Sequence, residues 1–229
     1  MQKIHWHSFA TADKVAASAA QQILAASEQA IAARGAFKLV LAGGSTPEKV
    51  YQLLAESSAD WNNWHIYYGD ERCLPVDHAD RNSRMAGSVF LDKVSIPSGQ
   101  IHTMPAELGP EKAAEAYRPT IEQVGRFDMV LLGMGEDGHT ASLFPGHVHS
   151  SDETVHAVFN SPKPPPERIS LSSKALSNSL QVLFLVTGAG KQEAVKQWRQ
   201  GEVLPVALIR PDAGVDVYID EAALGDACR

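Results

Sequence analysis

The hydrophobic positions of this chain fall into short solid runs separated by longer stretches of helical spacing. The solid runs lie at 37–42 (FKLVLA), 64–68 (WHIYY), 127–132 (FDMVLL), 181–186 (QVLFLV) and 205–209 (PVALI), and each predicts a strand. Residues 12–34 are Ala-rich and free of Gly and Pro. They predict a long helix, capped by Thr11 or Asp13 and stopped by Gly35. Further helices are predicted over 47–55, 83–94, 111–124 and 191–200, with a turn or short helix over 172–177. Shorter strands are predicted over 168–171 (RISL) and 216–219 (DVYI).

Strands that are apolar throughout, rather than alternating, are buried on both faces, as in a parallel sheet. Their alternation with helices predicts a Rossmann-like, doubly wound α/β fold, its mostly parallel sheet flanked by helices. The 229 residues and 44% hydrophobic content suit one domain spanning 1–229. The Pro-rich stretch 161–166 (SPKPPP) is stiff but too short to link two domains.

Charge narrows the partners. The net charge of −7 argues against broad attraction to nucleic acid. An anionic ligand must therefore be held by a few local cations. Cys73 and Cys228 form no spacing motif, so no disulfide framework is expected, and Cys73 reads as a packed thiol. The first residues lack the apolar stretch of a signal peptide, and no run reaches the ~20 apolar residues of a membrane helix. A cytoplasmic location is the expectation.

Three strand ends carry candidate chemistry, and ligands of open α/β sheets bind at the carboxyl ends of strands. After 127–132 comes a loop in which Gly133, Gly135 and Gly138 alternate with Glu136, Asp137 and His139, and Thr140 is predicted to open a helix. A histidine so placed can act as a general base near neutral pH. After 37–42, the sequence LAGGSTPEKV offers an open backbone at Gly43 and Gly44 and a helix start near Pro47. Ser45 and Glu48 fit a capping box there, and the exposed N–H groups favour an anion. After 64–68 come Asp70, Glu71 and Arg72, costly if buried without partners. Asp77, His78, Asp80, His147 and His149 read as ordinary loop residues, because no zinc-type spacing links them. Arg168 and Lys191 are candidate anion-binding cations; Lys191 stands where a helix dipole disfavours a lysine.

Taken together, LAGGSTP, GDERCLPVDHADRNS, GMGEDGHTASLFPGH, PKPPPERISL and TGAGKQEAV resemble the 6-phosphogluconolactonase family, in the expected order, from about residue 37 to 195. One departure is visible: many members read Ser-Asn where this chain has Asn82-Ser83. The resemblance implies hydrolysis of 6-phosphoglucono-1,5-lactone to 6-phosphogluconate, without metal or organic cofactor. It implies that His139 activates water, that Arg72 stabilises charge near the lactone, and that Asp70 and Asp137 support them. Gly43, Gly44, Ser45, Thr46 and Asn82 would line the substrate pocket. Arg168, as a bidentate fork, and Lys191, as a point charge, would hold the 6-phosphate. The implied partner is a small sugar phosphate, with no nucleic acid and no membrane, and the protein is expected to be a monomer or weak homodimer.

Two other readings stay open at this stage. Glucosamine-6-phosphate deaminases share GGSTP-like and DGH-like loops. A non-catalytic sugar-phosphate-sensing module could use the same fold, since fold alone does not settle function.

Overall fold

The computed structural model describes residues 2–148 and 150–225; His149 and Cys228 lie outside them. In chain order the strands and α-helices are β1 (Ile4–Phe9), α1 (Ala12–Arg34), β2 (Phe37–Leu41), α2 (Ser45–Ala55), β3 (Trp64–Tyr68), β4 (Asp70–Arg72), α3 (Asn82–Val89) and α4 (Pro110–Val124). There follow β5 (Phe127–Gly133), β6 (Val155–Val158), β7 (Arg168–Leu171), α5 (Ser173–Ser177), β8 (Ser179–Val186), α6 (Gln192–Arg199), β9 (Val215–Asp220) and α7 (Glu221–Leu224).

Six strands form one sheet in the order β1-β9-β8-β5-β2-β3, with every neighbouring pair parallel. The chain builds outward from β2 to β3, then returns to β5 and builds the other way through β8 and β9. The reversal falls between β2 and β5, so the loops leaving these two strands diverge and open a crevice between them. The mostly parallel α/β fold expected from the sequence is the fold observed.

The helix ends follow from their sequences. The Oγ1 of Thr11 accepts the Lys14 N–H at 3.3 Å at the start of α1. Gly35, at φ +77°, ends the helix in the left-handed conformation that glycine adopts without penalty. Val15, Ala16, Ala19, Ala20, Ile23, Ala26 and Ala30 are its buried hydrophobic residues. Most are alanines, which let the helix approach the sheet closely. One hydrophobic cluster takes in both faces of the sheet and residues of β6 and β7.

Several expectations are corrected. β4, β7 and β6 form a separate antiparallel sheet, and neither β4 nor β6 was anticipated. Their runs are short, and Asp70–Arg72 is charged throughout, so hydrophobic periodicity gives no signal there. Edge strand β1 was also missed, because HWHS alternates polar side chains with Trp6. Residues 205–209 are not a strand: Pro205–Leu208 form a 3-10 turn, with the Val206 N–H bonded to Gly138 O at 3.2 Å. A five-residue apolar run can be buried in either form. No helix begins at Thr140. Thr140 and Leu143 close a tight turn through Ala141, which stands at φ +47°, and the Thr140 hydroxyl donates to Gly133 O at 2.8 Å.

Among the described residues, no helix is long and apolar enough to cross a membrane.

Candidate active site

A cavity of about 220 Å³ opens at the switch point between β2 and β5. Gly43 and Gly44 from the β2 end, Gly133, Gly135 and His139 from the β5 end, Asp70 and Arg72 from β4, Asn82 from α3, Arg168 from β7 and Lys191 line it. Of the eleven residues singled out in the sequence, Ser45, Thr46 and Asp137 do not line it directly.

The β5 loop is shaped around His139. The Gly135 N–H donates to His139 O at 2.8 Å, and Gly138 turns at φ +76°. His139 Nδ1 lies 2.5 Å from Asp137 Oδ1. A side chain on Gly135 would not fit, since its Cβ would fall 2.0 Å from that Nδ1. The imidazole also packs at 4.7 Å, centroid to centroid, on Phe144. With Nδ1–H committed to the carboxylate, Nε2 is the nitrogen left to take a proton. Partial burial would raise the pKa of Asp137. The hydrogen bond and charge of His139 outweigh it, and the carboxyl stays below its ordinary value.

The β2 loop is set from below. Tyr51 on α2 is fully buried, and its hydroxyl accepts the Ala42 N–H at 2.9 Å and donates to Ala42 O at 2.7 Å. The expected capping box is not formed: α2 starts at Ser45, Gly44 occupies the cap position at φ +112°, and no side chain caps the helix. Ser45 and Thr46 therefore stand inside the first helical turn, where N–H groups lack intrahelical acceptors and favour an anion. Thr46 Oγ1 meets Thr187 Oγ1 at 2.6 Å, tying the β2 loop to the β8 loop that leads to Lys191. Gly43 admits Asn82: a Cβ at Gly43 would lie 2.1 Å from Asn82 Oδ1.

The β4 charges are partnered. Asp70 is buried, and its carboxylate accepts from Ser142 Oγ at 2.6 Å and Asn82 Nδ2 at 3.0 Å, with Arg168 Nη1 at 3.8 Å. Glu71 accepts the backbone N–H groups of Asn82 (2.7 Å) and Ser83 (2.8 Å), so its carboxylate caps α3. Arg72 donates to Asp80 O, and its Nε is buried without a hydrogen-bond partner among the described residues. A buried donor of this kind beside a cavity suits an oxygen-bearing ligand.

Arg168 departs from the expected free fork. Its Nε donates to Pro165 O at 3.2 Å, and Nη2 donates to Lys163 O at 3.1 Å and Pro164 O at 2.9 Å. Burial lowers its pKa and Asp70 partly offsets the effect. Lys191 is lowered too, mainly by burial, with Glu136 acting in the opposite sense.

Arg81 was not anticipated. It is 1% exposed, lies 3.5 Å from Glu71 Oε2, and donates to Glu107 Oε2 at 3.0 Å and Met104 O at 2.8 Å. An arginine directly before a helix opposes the dipole, the same signal that marked Lys191. Here the Glu71 carboxylate explains it. Asp77, His78 and Asp80 are exposed, and no group of three or more side chains among the described residues could hold a metal ion. Cys73 is half-buried and burial pushes its thiol up to about 12, in keeping with a packed residue.

A parallel sheet with a His–Asp pair, a buried arginine and a lysine around its switch-point crevice defines an α/β protein with a small polar cavity of enzyme type. The sequence matches the family described as glucosamine-6-phosphate isomerases/6-phosphogluconolactonase over residues 10–218, and the chain belongs to that family. It is 38% identical to a 6-phosphogluconolactonase of Synechocystis sp., over 85% of this chain and 86% of that protein. The crystal structure of 6-phosphogluconolactonase from Thermotoga maritima superposes with a TM-score of 0.89 at 32% identity, covering 96% of this chain and all (100%) of that one. A monomeric glucosamine-6-phosphate deaminase shares the fold, with a TM-score of 0.82 at 22% identity over 98% of this chain and 99% of its own.

Proposed function

We propose that this chain hydrolyses 6-phospho-D-glucono-1,5-lactone to 6-phospho-D-gluconate, the second step of the oxidative pentose phosphate pathway. The observation that carries the reading is His139 on the cavity wall, its Nδ1 held by Asp137 at 2.5 Å, with Arg72 and Lys191 around the same space.

A lactone is an activated ester, so its hydrolysis asks for an oriented water, a base and a stabilised oxyanion rather than a covalent nucleophile. His139 Nε2 takes a proton from water as the oxygen attacks C1 of the lactone. The carbonyl electrons move onto oxygen, and the Arg72 guanidinium meets the developing charge. Collapse of the tetrahedral intermediate breaks the bond between C1 and the ring oxygen, and the imidazolium returns its proton to that oxygen. Asp137 keeps the imidazole in one tautomer and orientation and stabilises its charged form. Lys191 anchors the phosphate, and Nη1 of Arg168, which pairs with Asp70 at 3.8 Å but donates to no backbone carbonyl among the described residues, faces the same space. The N–H groups at the start of α2 complete a polar lining. Asp70 acts through Asn82 and Arg168, holding the wall rather than touching the substrate. The step as drawn consumes no cofactor.

The test is a comparison of two substrates with the purified protein. Lactone hydrolysis well above the spontaneous rate, with no ammonia from glucosamine 6-phosphate, is the expected result. Ammonia release with no gain in lactone hydrolysis overturns the reading in favour of the deaminase.

A further inference from the structure

We infer that Lys163 is a further cation for the ligand's anionic group, and that Glu136 stands in as an internal counter-ion while the anion site is empty. The inference rests on the lactonase reading only for the identity of that group, the 6-phosphate.

The starting point is how Arg168 is spent. Two of its three guanidinium nitrogens serve the carbonyls of Lys163, Pro164 and Pro165. Ser161 closes the same turn, its Oγ donating to Lys163 O at 2.7 Å and accepting the Lys163 N–H at 3.2 Å. The buried arginine therefore pins the Pro-rich turn beside the cavity and leaves little of itself for a phosphate. What the pinned turn offers instead is the Lys163 side chain.

Lys163 Nζ lies 3.9 Å from Glu136 Oε2. Glu136 belongs to the His139 loop and lies over the turn before Lys191, so that a Cβ on Gly190 would sit 3.1 Å from Glu136 Oε1. Lys191 is close enough to feel both, its charged form favoured by Glu136 and disfavoured by Lys163. Two lysines thus act on one carboxylate, and one of them, Lys191, lines the cavity. The Lys163 and Glu136 side chains are 48% and 65% exposed, so their pairing holds little of the fold together and can be exchanged at small cost. A phosphate carries more charge and more acceptor oxygens than a carboxylate, and it competes well for both ammonium groups. The position is one that phosphorylated and unphosphorylated sugars would experience differently.

The experiment is a calorimetric titration with inorganic phosphate at low ionic strength, which needs no turnover. Wild type is compared with Lys163→Met, Glu136→Gln and, as a charge control on the exposed face of α4, Lys112→Met. Lys163→Met is expected to weaken phosphate binding ~5–10-fold, and Glu136→Gln to tighten it ~2–5-fold, as suits partly screened charges. The control should match wild type. Unshifted affinities in both test variants, shifts no larger than the control's, or no phosphate binding by wild type overturns the inference. Lactone turnover is measured beside it. Absence of hydrolysis with the affinity shifts intact counts against the lactonase reading alone. Normal hydrolysis with unshifted affinities counts against Lys163 alone.

Discussion

Asp137 Oδ1 holds His139 twice, meeting the ring Nδ1 at 2.5 Å and accepting the backbone N–H at 3.3 Å. One carboxylate oxygen thereby sets both the position of the loop and the tautomer of the ring. Replacing Asp137 by Asn keeps the shape but lets the amide favour the wrong tautomer. Asp137→Asn should lower kcat by ~10²–10⁴ with KM little changed, by analogy with other His–carboxylate pairs. Steady-state kinetics on the lactone would check this, and an unchanged kcat removes Asp137 from the mechanism.

The same pair has a pH signature. The pKa of Asp137 is lowered in the folded protein, so its ionic contribution to stability is fully present above the ordinary carboxylate value. It is lost only as pH falls through the lowered value, below about pH 4. Acid unfolding of Asp137→Asn should therefore match wild type at the lowest pH and fall behind it as pH rises through that range. A difference confined to neutral and alkaline pH contradicts the assignment.

Gly135→Ala tests the packing of the site. The new Cβ would meet His139 Nδ1 at 2.0 Å and Asp137 Oδ1 at 2.7 Å, so the imidazole must leave its place. Displacement by about 1 Å is enough to cost ~10²-fold in rate. Circular dichroism should remain native. Full activity in a folded Gly135→Ala protein contradicts the observed placement of the ring.

Lys191 separates function from stability. Burial lowers its pKa, so below that value the charged lysine weakens the folded state, and the penalty disappears as pH rises through it. Lys191→Met should leave Tm equal or higher at neutral pH while raising KM for the phosphorylated lactone ~10-fold or more, the cost of one charge-assisted contact. KM for unphosphorylated gluconolactone should not follow. Equal increases for both substrates would take Lys191 out of phosphate recognition.

Much of this was legible in the sequence. The solid apolar runs FKLVLA, WHIYY, FDMVLL and QVLFLV are four strands of the six-stranded sheet, because burial on both faces leaves little room for polar positions. The glycines and charged residues at three of those strand ends marked a cleft that all three do line. What the sequence hid depends on contacts between distant residues. Ser142 reaches Asp70 across 72 positions, and Glu71 caps a helix eleven residues on. Neither pairing has a periodicity. Ser45 resembles a cap by type, but Gly44 has the backbone freedom to start the helix without one. Arg168 looked like a free phosphate ligand because its three carbonyl partners lie in a Pro-rich turn whose path is set only in three dimensions.

The most direct measurement is the rate of 6-phosphoglucono-1,5-lactone hydrolysis by wild type and His139→Ala, each read against a no-enzyme blank at mildly acidic pH. Wild type should far exceed the blank, and the variant should lose ~10²–10⁴ of that excess, the usual worth of a general base. A variant as fast as wild type, or a wild type no faster than the blank, would contradict the account.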